Sequence, residues 1–257
     1  MRPVRGRRPS LTSRANAQRV ATVICPVERR IVVTSVAIVL LVAGRASSQV
    51  KQYPLQSTDG VTLHNVTAAP ATLQGRNGLR VTMSEEAKRE QRQLEQLARI
   101  SNLEFSNGVI EVELAGAPAP DAPAGARGFV GIAFRLQPDN QTYDAFYLRP
   151  TNGRADDQER RNHSAQYISH PEWTWSRLRK ETPSKYESYV DLVPGVWTKI
   201  KIEVRGSVAR LFVHDNEQPT LIVNDVKSGA QGKGAVALWL DAGTVAHFRN
   251  LRVTPSQ

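Results

Sequence analysis

One polar, aromatic stretch of the chain holds residues well suited to acid–base chemistry. Residues 162–175, NHSAQYISHPEWTW, contain His163 and Tyr167, and Arg149 lies shortly before them. Histidine titrates near neutral pH, tyrosine can act as an acid or a base, and arginine can stabilise a carboxylate or an enolate. A uronate lyase needs this set, and hydrolysis of a keto-sugar glycoside could use it. We therefore predict that His163, Tyr167 and Arg149 are catalytic; a structural hydrogen-bonding role for His163 is the alternative.

The spacing of these side chains predicts how they would flank a ligand. If residues 163–169 form a strand, His163 and Tyr167 share one face about 13 Å apart, too far to hydrogen-bond each other but able to flank a sugar. Trp173 and Trp175 also alternate, so on a strand both would face one way as a stacking platform. Packing of the two rings on the edge of the domain is the alternative.

Strands must position these residues, because alternation of apolar and polar side chains dominates the chain after residue 60. Turn dipeptides such as Asn107-Gly108 and Pro194-Gly195 separate the apolar runs. The pattern predicts an all-β fold in which two antiparallel sheets form one sandwich. The predicted strands are residues 61–67, 79–83, 108–116, 128–136, 143–149, 164–169, 197–206, 208–215, 219–225, 234–241 and 245–253.

Two segments depart from this alternation. Residues 84–101 are highly charged and place Leu94, Leu97 and Ala98 at helical spacing, which predicts one short surface helix capped by Ser84. Residues 115–128, rich in proline, alanine and glycine, predict a flexible loop between two strands.

Three predicted strands carry an unusual mixture on the face that alternation turns away from the core. That face combines small residues with aromatic rings and arginines, whereas residues 198–204 present the lysines and glutamate of an ordinary solvated face. Rings stack on sugars, and guanidinium groups donate to hydroxyls and carboxylates. We expect this face to be the floor of a carbohydrate groove; packing beneath loops is the alternative. The predicted substrate-binding residues are Arg135, Tyr147, Asn152, Arg160, Arg161, Asn162, Gln166, Trp173, Trp175 and Trp239.

The run of strands resembles a known family. The strings FSNGVIEVELAG, GFVGIAFR, YDAFYLRP, WTKIKIEVRGSVARLFV and GAVALWLDAGTVAHFRNLRV are similar to concanavalin-A-like jelly rolls, in particular to secreted bacterial 3-keto-disaccharide hydrolase-type (LamG-like) domains. The resemblance covers roughly residues 60–253. It implies a jelly-roll sandwich with a concave groove facing carbohydrate, in a family that includes hydrolases, lyases and lectin-like modules. A shared fold carries little information about the chemistry.

The acidic residues match no pattern that we can assign. Laminarinase-type jelly rolls carry a motif resembling E-x-D-x-x-E on one strand, whereas Glu111 and Glu113 have no aspartate between them. We therefore expect these two glutamates to belong to a solvated strand face rather than to a catalytic pair. We predict no cofactor; structural calcium bound by Asp156, Asp157 and Glu159 is the alternative, although their spacing matches no specific metal loop.

The positive charge of the chain is concentrated at its N-terminus. The net charge is +10, but residues 1–48 hold nine arginines, no lysine and one acid, which leaves 25 basic and 23 acidic residues, or +2, for the rest. A nearly neutral body argues against a nucleic-acid partner and leaves carbohydrate as the expected partner. The oligomeric state stays open.

The N-terminal region predicts export. Residues 28–30 are basic overall, residues 31–44 are apolar, and small residues precede Gln49, as in a cleavable signal peptide spanning residues 28–48. The apolar run is shorter than the roughly 20 residues of a comfortable membrane span, although an uncleaved anchor is the alternative. We expect residues 1–27 to be an upstream extension, residues 49–257 to form a single domain, and the protein to be secreted or periplasmic. The single cysteine, Cys25, precedes residue 49, so the predicted domain contains no cysteine, which fits an exported protein without disulfides.

Three functions remain open from the sequence. The insertion at residues 151–190 favours a carbohydrate-active enzyme of the glycoside hydrolase or polysaccharide lyase class, because clustered arginine, histidine and tyrosine exceed what a lectin needs. The absence of a recognised acid pair favours a non-catalytic carbohydrate-binding module. A structural envelope domain would need no groove chemistry.

Overall fold

The computed structural model describes residues 49–90 and 95–256, together with Ala21. The predicted upstream extension and signal peptide therefore lie outside the described residues, apart from Ala21. Within the described ranges, no helix is long and apolar enough to cross a membrane.

Two antiparallel sheets form the domain, as predicted, in a jelly-roll sandwich. In chain order the strands are β1 (Lys51–Tyr53), β2 (Val61–His64), β3 (Val66–Leu73), β4 (Arg76–Met83), β5 (Gln96–Phe105), β6 (Asn107–Pro118), β7 (Val130–Leu136), β8 (Tyr143–Leu148), β9 (Ala165–His170), β10 (Glu187–Ser188), β11 (Thr198–Arg205), β12 (Val208–Val213), β13 (Leu221–Val223), β14 (Gly234–Leu240) and β15 (Thr244–Ser256). The helices are α1 (Glu85–Arg89), α2 (Gln158–Asn162) and α3 (Trp175–Glu181), with a 3₁₀ turn at Pro150–Asn152.

The first sheet has the order β13-β12-β11-β6-β15-β4-β3, and β1 also pairs with β15. Its outer face is solvated, as the alternation predicts. Along β11, for example, Ile200, Ile202 and Val204 are buried, while Lys199 is exposed. This face is therefore an ordinary polar surface, and the apolar side chains of the sheet fill the space between the two sheets.

The second sheet has the order β10-β9-β8-β7-β14-β5-β2, and its outer face differs from the prediction. Every residue of β7 and β8 is buried, on both faces of the sheet. Tyr147 is only 1% exposed and Trp239 only 6%. The expectation of an open groove floor is wrong here, because Phe129 and Arg149 lie against the ring of Tyr147. The alternative, packing beneath loops, describes these strands.

The predicted helix over residues 84–101 is also wrong for most of its described length. Ser84 does cap a helix, since its Oγ accepts a hydrogen bond from the backbone N–H of Ala87 at 3.1 Å, but α1 ends at Arg89. Residues 91–94 lie outside the described residues, and residues 96–101 belong to β5 between β14 and β2. Leu97 and Ala98 are fully buried there. Burial of the apolar side chains in the second sheet outweighs the local helix propensity of this segment.

Candidate functional site

A cleft of about 510 Å³ opens beside the outer face of the second sheet. Its walls come from the loop before β7, from the end of β8, from the insertion that follows β8, and from the end of β14. The lining residues are Gly125, Arg127, Phe129, Arg149, Asn152, Asp157, Glu159, Arg160, His163, Trp175, Arg179 and Asp241. Five of them were predicted from the sequence, namely Arg149, Asn152, Arg160, His163 and Trp175.

Arg149 is a buried cation at the base of this cleft. Its Nη1 donates to the backbone carbonyl of His163 at 3.0 Å and to Oε1 of Glu187 at 3.2 Å. Its Nη2 donates to the hydroxyl of Tyr147 at 2.8 Å and to Oε1 of Gln166 at 3.0 Å. Because both terminal nitrogens of the guanidinium group are engaged by the protein, the orientation of the group is set before any ligand arrives.

Stacked aromatic rings support this guanidinium group. The ring of Tyr147 stacks on Phe129 with centroids 5.4 Å apart and on Trp239 at 4.7 Å, and Arg149 lies 5.1 Å from the centroid of Tyr147. Gly131 lies opposite both Tyr147 and Trp239 in the sheet. A Cβ atom at Gly131 would approach the backbone carbonyl oxygen of the facing strand to 2.2 Å, so glycine is required for this packing. Tyr147 and Trp239 therefore lie beneath the cleft rather than in its wall.

Glu187 organises the charges around Arg149. It is buried, it accepts hydrogen bonds from Arg149 and Arg179, and its Oε2 lies 3.4 Å from Nε2 of His163. Burial alone would raise the pKa of Glu187, but the hydrogen bond and charge of Arg179 and the charges of His163 and Arg149 hold it below its usual value. Glu187 is therefore a carboxylate that two arginines share.

Two titratable groups in the cleft are perturbed in opposite directions. Burial, together with the charges of Arg179 and Arg149, lowers the pKa of His163 against the attraction of Glu187. Burial also raises the pKa of Asp241, with a smaller increase from the charge of Glu95. His163 is thus a neutral imidazole at neutral pH that can accept a proton, while Asp241 retains its proton to a higher pH than an ordinary aspartate.

A second polar cluster lies on the same face of the sheet. Nδ1 of His170 lies 3.0 Å from Oε1 of Glu95, and the hydroxyl of Tyr143 donates to Oε2 of Glu95. Nε1 of Trp239 donates to the Tyr143 hydroxyl at 2.9 Å, and the rings of His170 and Tyr143 stack at 5.1 Å. Burial and the charge of Glu95 raise the pKa of Tyr143 well above its usual value. Trp239 thus links this cluster to the aromatic rings beneath Arg149.

Tyr167 does not reach the cleft. The residue facing Tyr147 across β8 and β9 is Gln166, so Tyr167 faces Phe146 in the space between the sheets. Its hydroxyl donates to Oδ1 of Asp144 at 2.5 Å and accepts from the backbone N–H of Lys227 at 2.8 Å. The predicted common face of His163 and Tyr167 is wrong, because β9 begins only at residue 165. Gln166 lies under Arg149 rather than in the cleft wall.

Arg135 is also turned away from the predicted position. Its backbone has a φ of 54° at the end of β7, which redirects the side chain. The buried guanidinium group donates to the carbonyls of Ser106, Gly206 and Gly229 and to Oγ of Ser228. Arg135 therefore fastens three loops together, and it lies outside the residues that line the cleft.

Trp173 and Trp175 do not form a shared platform. Trp173 pairs through its backbone with Ser169 and packs against the core, with Arg177 4.0 Å above its ring. Trp175 instead begins α3 and is 44% exposed, with Arg179 4.9 Å from its ring centroid. The two rings diverge because the chain turns into a helix at Trp175 rather than continuing as a strand. Only Trp175 offers a ring face to the cleft.

Arg161 and Asn162 lie on α2 but outside the residues that line the cleft. Nη2 of Arg161 donates to the hydroxyl of Tyr189 at 3.0 Å, and Oδ1 of Asn162 accepts from Gln158 at 2.7 Å. Their neighbour Arg160 does line the cleft, since successive residues of a helix point in different directions. The structure thus separates three residues that the sequence grouped together.

The candidate acidic sites behave as surface groups. Glu111 and Glu113 lie on the first sheet and form ion pairs with arginines, Glu113 with Arg76 at 2.7 Å. Asp157 caps α2 by accepting a hydrogen bond from the backbone N–H of Arg160 at 2.7 Å. Across the described ranges, no three carboxylate, imidazole or thiol groups are placed to hold a metal ion.

Several residues of the site were missed in the sequence. Arg127 lies in the segment predicted as a flexible loop, Phe129 lies in the predicted strand 128–136, and Glu95 lies within the segment predicted as a helix. Arg179 and Glu187 are inside the insertion, but their pairing across α3 and β10 had no sequence signal. Asp241 is the last residue of the predicted strand 234–241, where alternation puts it on the same face as Trp239, and that placement was the available signal for this residue.

Comparisons with known proteins support the fold. No protein-family model matches the chain, and no curated protein matches it either. Among solved structures, the carbohydrate binding module CBM66 from Bacillus subtilis is similar, with a TM-score of 0.50, 13% identity and coverage of 76% of this chain and 95% of that one. A β-glucanase from Bacillus licheniformis has a TM-score of 0.44, 12% identity and coverage of 80% and 98%. The similarity to CBM66 is one of fold alone, and it agrees with the two-sheet jelly-roll sandwich described above.

Proposed function

We propose that the protein binds a glycoside or oligosaccharide in this cleft and acts on it as a hydrolase-type or lyase-type enzyme. The observation that supports this most is the presence of His163 and Asp241 in one cleft, with the pKa of the histidine lowered and that of the aspartic acid raised. Environments that separate two titratable groups in this way are typical of acid–base catalysis. Arg149 lines the same cleft as a preoriented cation, and its charge acts on both groups.

The two groups have complementary roles in this proposal. In an elimination, His163 takes a proton from the sugar carbon next to the carbonyl or carboxylate group. A carbon–carbon double bond forms as the C–O bond to the glycosidic oxygen breaks, and Asp241 gives its proton to that leaving oxygen. In a hydrolysis, His163 takes a proton from water and the water oxygen bonds to the anomeric carbon. The bond between that carbon and the glycosidic oxygen breaks, and Asp241 again gives its proton to the leaving oxygen. Arg149 stabilises negative charge that develops nearby, while Trp175 stacks on a sugar ring.

The resemblance noted in the sequence suggests a 3-keto-disaccharide hydrolase-type activity as the specific reaction. The signal-peptide pattern at residues 28–48 supports a secreted or periplasmic location for this enzyme. Mass measurement of the exported protein tests the location, since cleavage as proposed leaves Gln49 as the first residue. A retained N-terminus would contradict it.

Product analysis tests the reaction. The protein is incubated with plant and bacterial glycans and with 3-keto-disaccharides; new reducing ends without an ultraviolet chromophore indicate hydrolysis, and a new chromophore indicates elimination. We expect His163→Gln to lower turnover by about 10²- to 10⁴-fold, the usual contribution of a general base. His64→Gln, on the far edge strand of the same sheet, is the matched control and should leave turnover unchanged. Turnover that survives both His163→Gln and Asp241→Asn would contradict the proposal.

A non-catalytic carbohydrate-binding module is the second candidate. It is favoured by the exposed ring of Trp175, which lies 5.8 Å from Arg149 and 4.9 Å from Arg179 and offers a ring face to a sugar. This candidate predicts binding of a glycan that Trp175→Ala abolishes, with no product formed by the unaltered protein.

A further inference from the structure

The cleft contains two arginines whose charge no carboxylate of the described residues neutralises through an ion pair. These are Arg127, in the loop before β7, and Arg160, on α2. Arg160 donates only to neutral oxygens, from Nε to Oδ1 of Asn152 at 3.0 Å and from Nη2 to the carbonyl and Oγ1 of Thr151 at 3.3 and 3.2 Å. Its guanidinium group is therefore held in place while its Nη1 has no acceptor within the part of the chain that the structure describes.

The other two arginines of the cleft differ from this pair. Arg149 and Arg179 both bond to Glu187, so part of their charge is compensated beneath the cleft. The pKa of Arg127 is lowered by burial first, and then by the charges of Arg160 and Arg149. The positive charges of these arginines therefore repel one another in the cleft, and an anion placed among them would replace this repulsion with attraction.

The carboxylates in the wall do not fill that role. Asp157 bonds to the backbone N–H at the start of α2, and Glu159 is exposed on the same helix. Burial favours the protonated form of Asp241. None of the three forms an ion pair with Arg127 or Arg160, so the open part of the cleft presents uncompensated positive charge.

We propose that the cleft takes an acidic sugar unit, whose carboxylate or sulfate group lies between Arg127 and Arg160 while its ring packs on Trp175. Arg127 can offer either oxyanion the paired donors of a guanidinium group, and Arg160 can offer its Nη1. The exposed ring of Trp175 suits the apolar face of a sugar. This inference rests on the proposed carbohydrate function and names its substrate class.

Calorimetric titration with matched pairs of ligands tests the inference. One pair is an oligogalacturonate and its methyl ester, and the other is a sulfated galactan oligosaccharide and its desulfated form. We expect the protein to bind the charged member of one pair at least about tenfold more tightly, which corresponds to one charge-assisted hydrogen bond. The pair that shows the preference identifies the oxyanion as a carboxylate or a sulfate.

Two variants and one control locate the site. Arg127→Gln and Arg160→Gln should each weaken binding of the charged ligand by about 10- to 100-fold and change binding of the neutral one by less than about twofold. Arg161→Gln is the matched control, because it removes the same charge from the next residue of α2, which bonds to Tyr189 outside the cleft. Thermal unfolding of each variant verifies that it folds. If Arg160→Gln fails to fold, Arg127→Gln tests the inference, because Arg127 lies in a loop.

Three results would overturn the inference. Equal affinity for the charged and neutral members, with binding intact, refutes the acidic ligand but leaves the carbohydrate function standing. If Arg161→Gln and Arg160→Gln lose the same affinity for the charged ligand, the attraction is not localised in the cleft. No binding of any glycan refutes the proposed function itself, and this inference with it.

Discussion

Replacing Glu187 by glutamine removes a carboxylate that Arg149 and Arg179 share, while it conserves the size of the side chain. The change leaves Arg149, which is only 4% exposed, with a buried positive charge that has lost its counter-ion. Breaking a buried ion pair from one side costs about 3–5 kcal/mol of unfolding free energy. We expect the lower end, about 3 kcal/mol, because the glutamine oxygen still accepts a hydrogen bond and the partly exposed Arg179 can turn to water.

Denaturant unfolding and thermal unfolding measure this loss. For a domain of this size, about 3 kcal/mol corresponds to a decrease of roughly 6–12 °C in Tm. Glu203→Gln is the matched control, because Glu203 pairs with Lys201 at 2.8 Å on the solvated face of the first sheet. An ion pair in that setting contributes less than about 1 kcal/mol.

The pH dependence gives a second measurement of the same interaction. The pKa of Glu187 in the folded protein lies below its ordinary value of 4.5, because the opposing effect of burial is outweighed by Arg179, His163 and Arg149. A carboxylate with a lowered pKa contributes stability that is complete above the unfolded-state value and is lost as the pH falls through the folded-state value. The difference in stability between the natural protein and Glu187→Gln should therefore shrink below about pH 4.5. A loss no larger than that of Glu203→Gln, or a difference that is constant with pH, would refute this reasoning.

Three further substitutions test other parts of the structure by chemical denaturation. Gly131→Ala should destabilise the protein by about 1–3 kcal/mol or more, since a Cβ there would collide with the backbone of β8 beside Tyr147; a neutral effect would mean that the strands can separate. Tyr167→Phe should cost about 1–3 kcal/mol, because the N–H of Lys227 loses its acceptor, yet glycan binding should persist, and its loss would place Tyr167 back in the site. Ser84→Ala should cost about 1 kcal/mol by removing the cap of α1; no change in stability would show that the cap contributes nothing.

The contrast between α1 and β5 illustrates the limit of local patterns. The charged residues at 84–101 have helical spacing, and Ser84 does begin a helix. However, Leu97 and Ala98 are buried in the second sheet, and a two-sheet core needs that strand between β14 and β2. Local helix propensity contributes less free energy than burial of a whole strand in the core. The segment from residue 96 onward is therefore a strand of the second sheet.

The candidate site was predictable only in part, for a related reason. The sequence pointed to Asn152, Arg160, His163 and Trp175, because chemically versatile side chains cluster in one insertion, and to Arg149 just before it. It missed Arg127, which a loop brings in from outside that insertion. It also misplaced other residues of the insertion, because a strand face predicted from alternation holds only where the strand itself extends.

The sequence by itself determined the two-sheet architecture, since alternation reports which side chains of a strand face the core independently of the other strands. It also marked residues 151–190 as an insertion rich in arginine, histidine and aromatic side chains. Only the tertiary structure decided that the outer face of the second sheet is covered, that Glu187 lies between two arginines, and that Asp241 shares a cleft with His163. Those properties depend on which segments, distant in the sequence, pack together and exclude water from each other's side chains. Burial and charge proximity of that kind are set by the whole fold and leave no periodic signal in the chain.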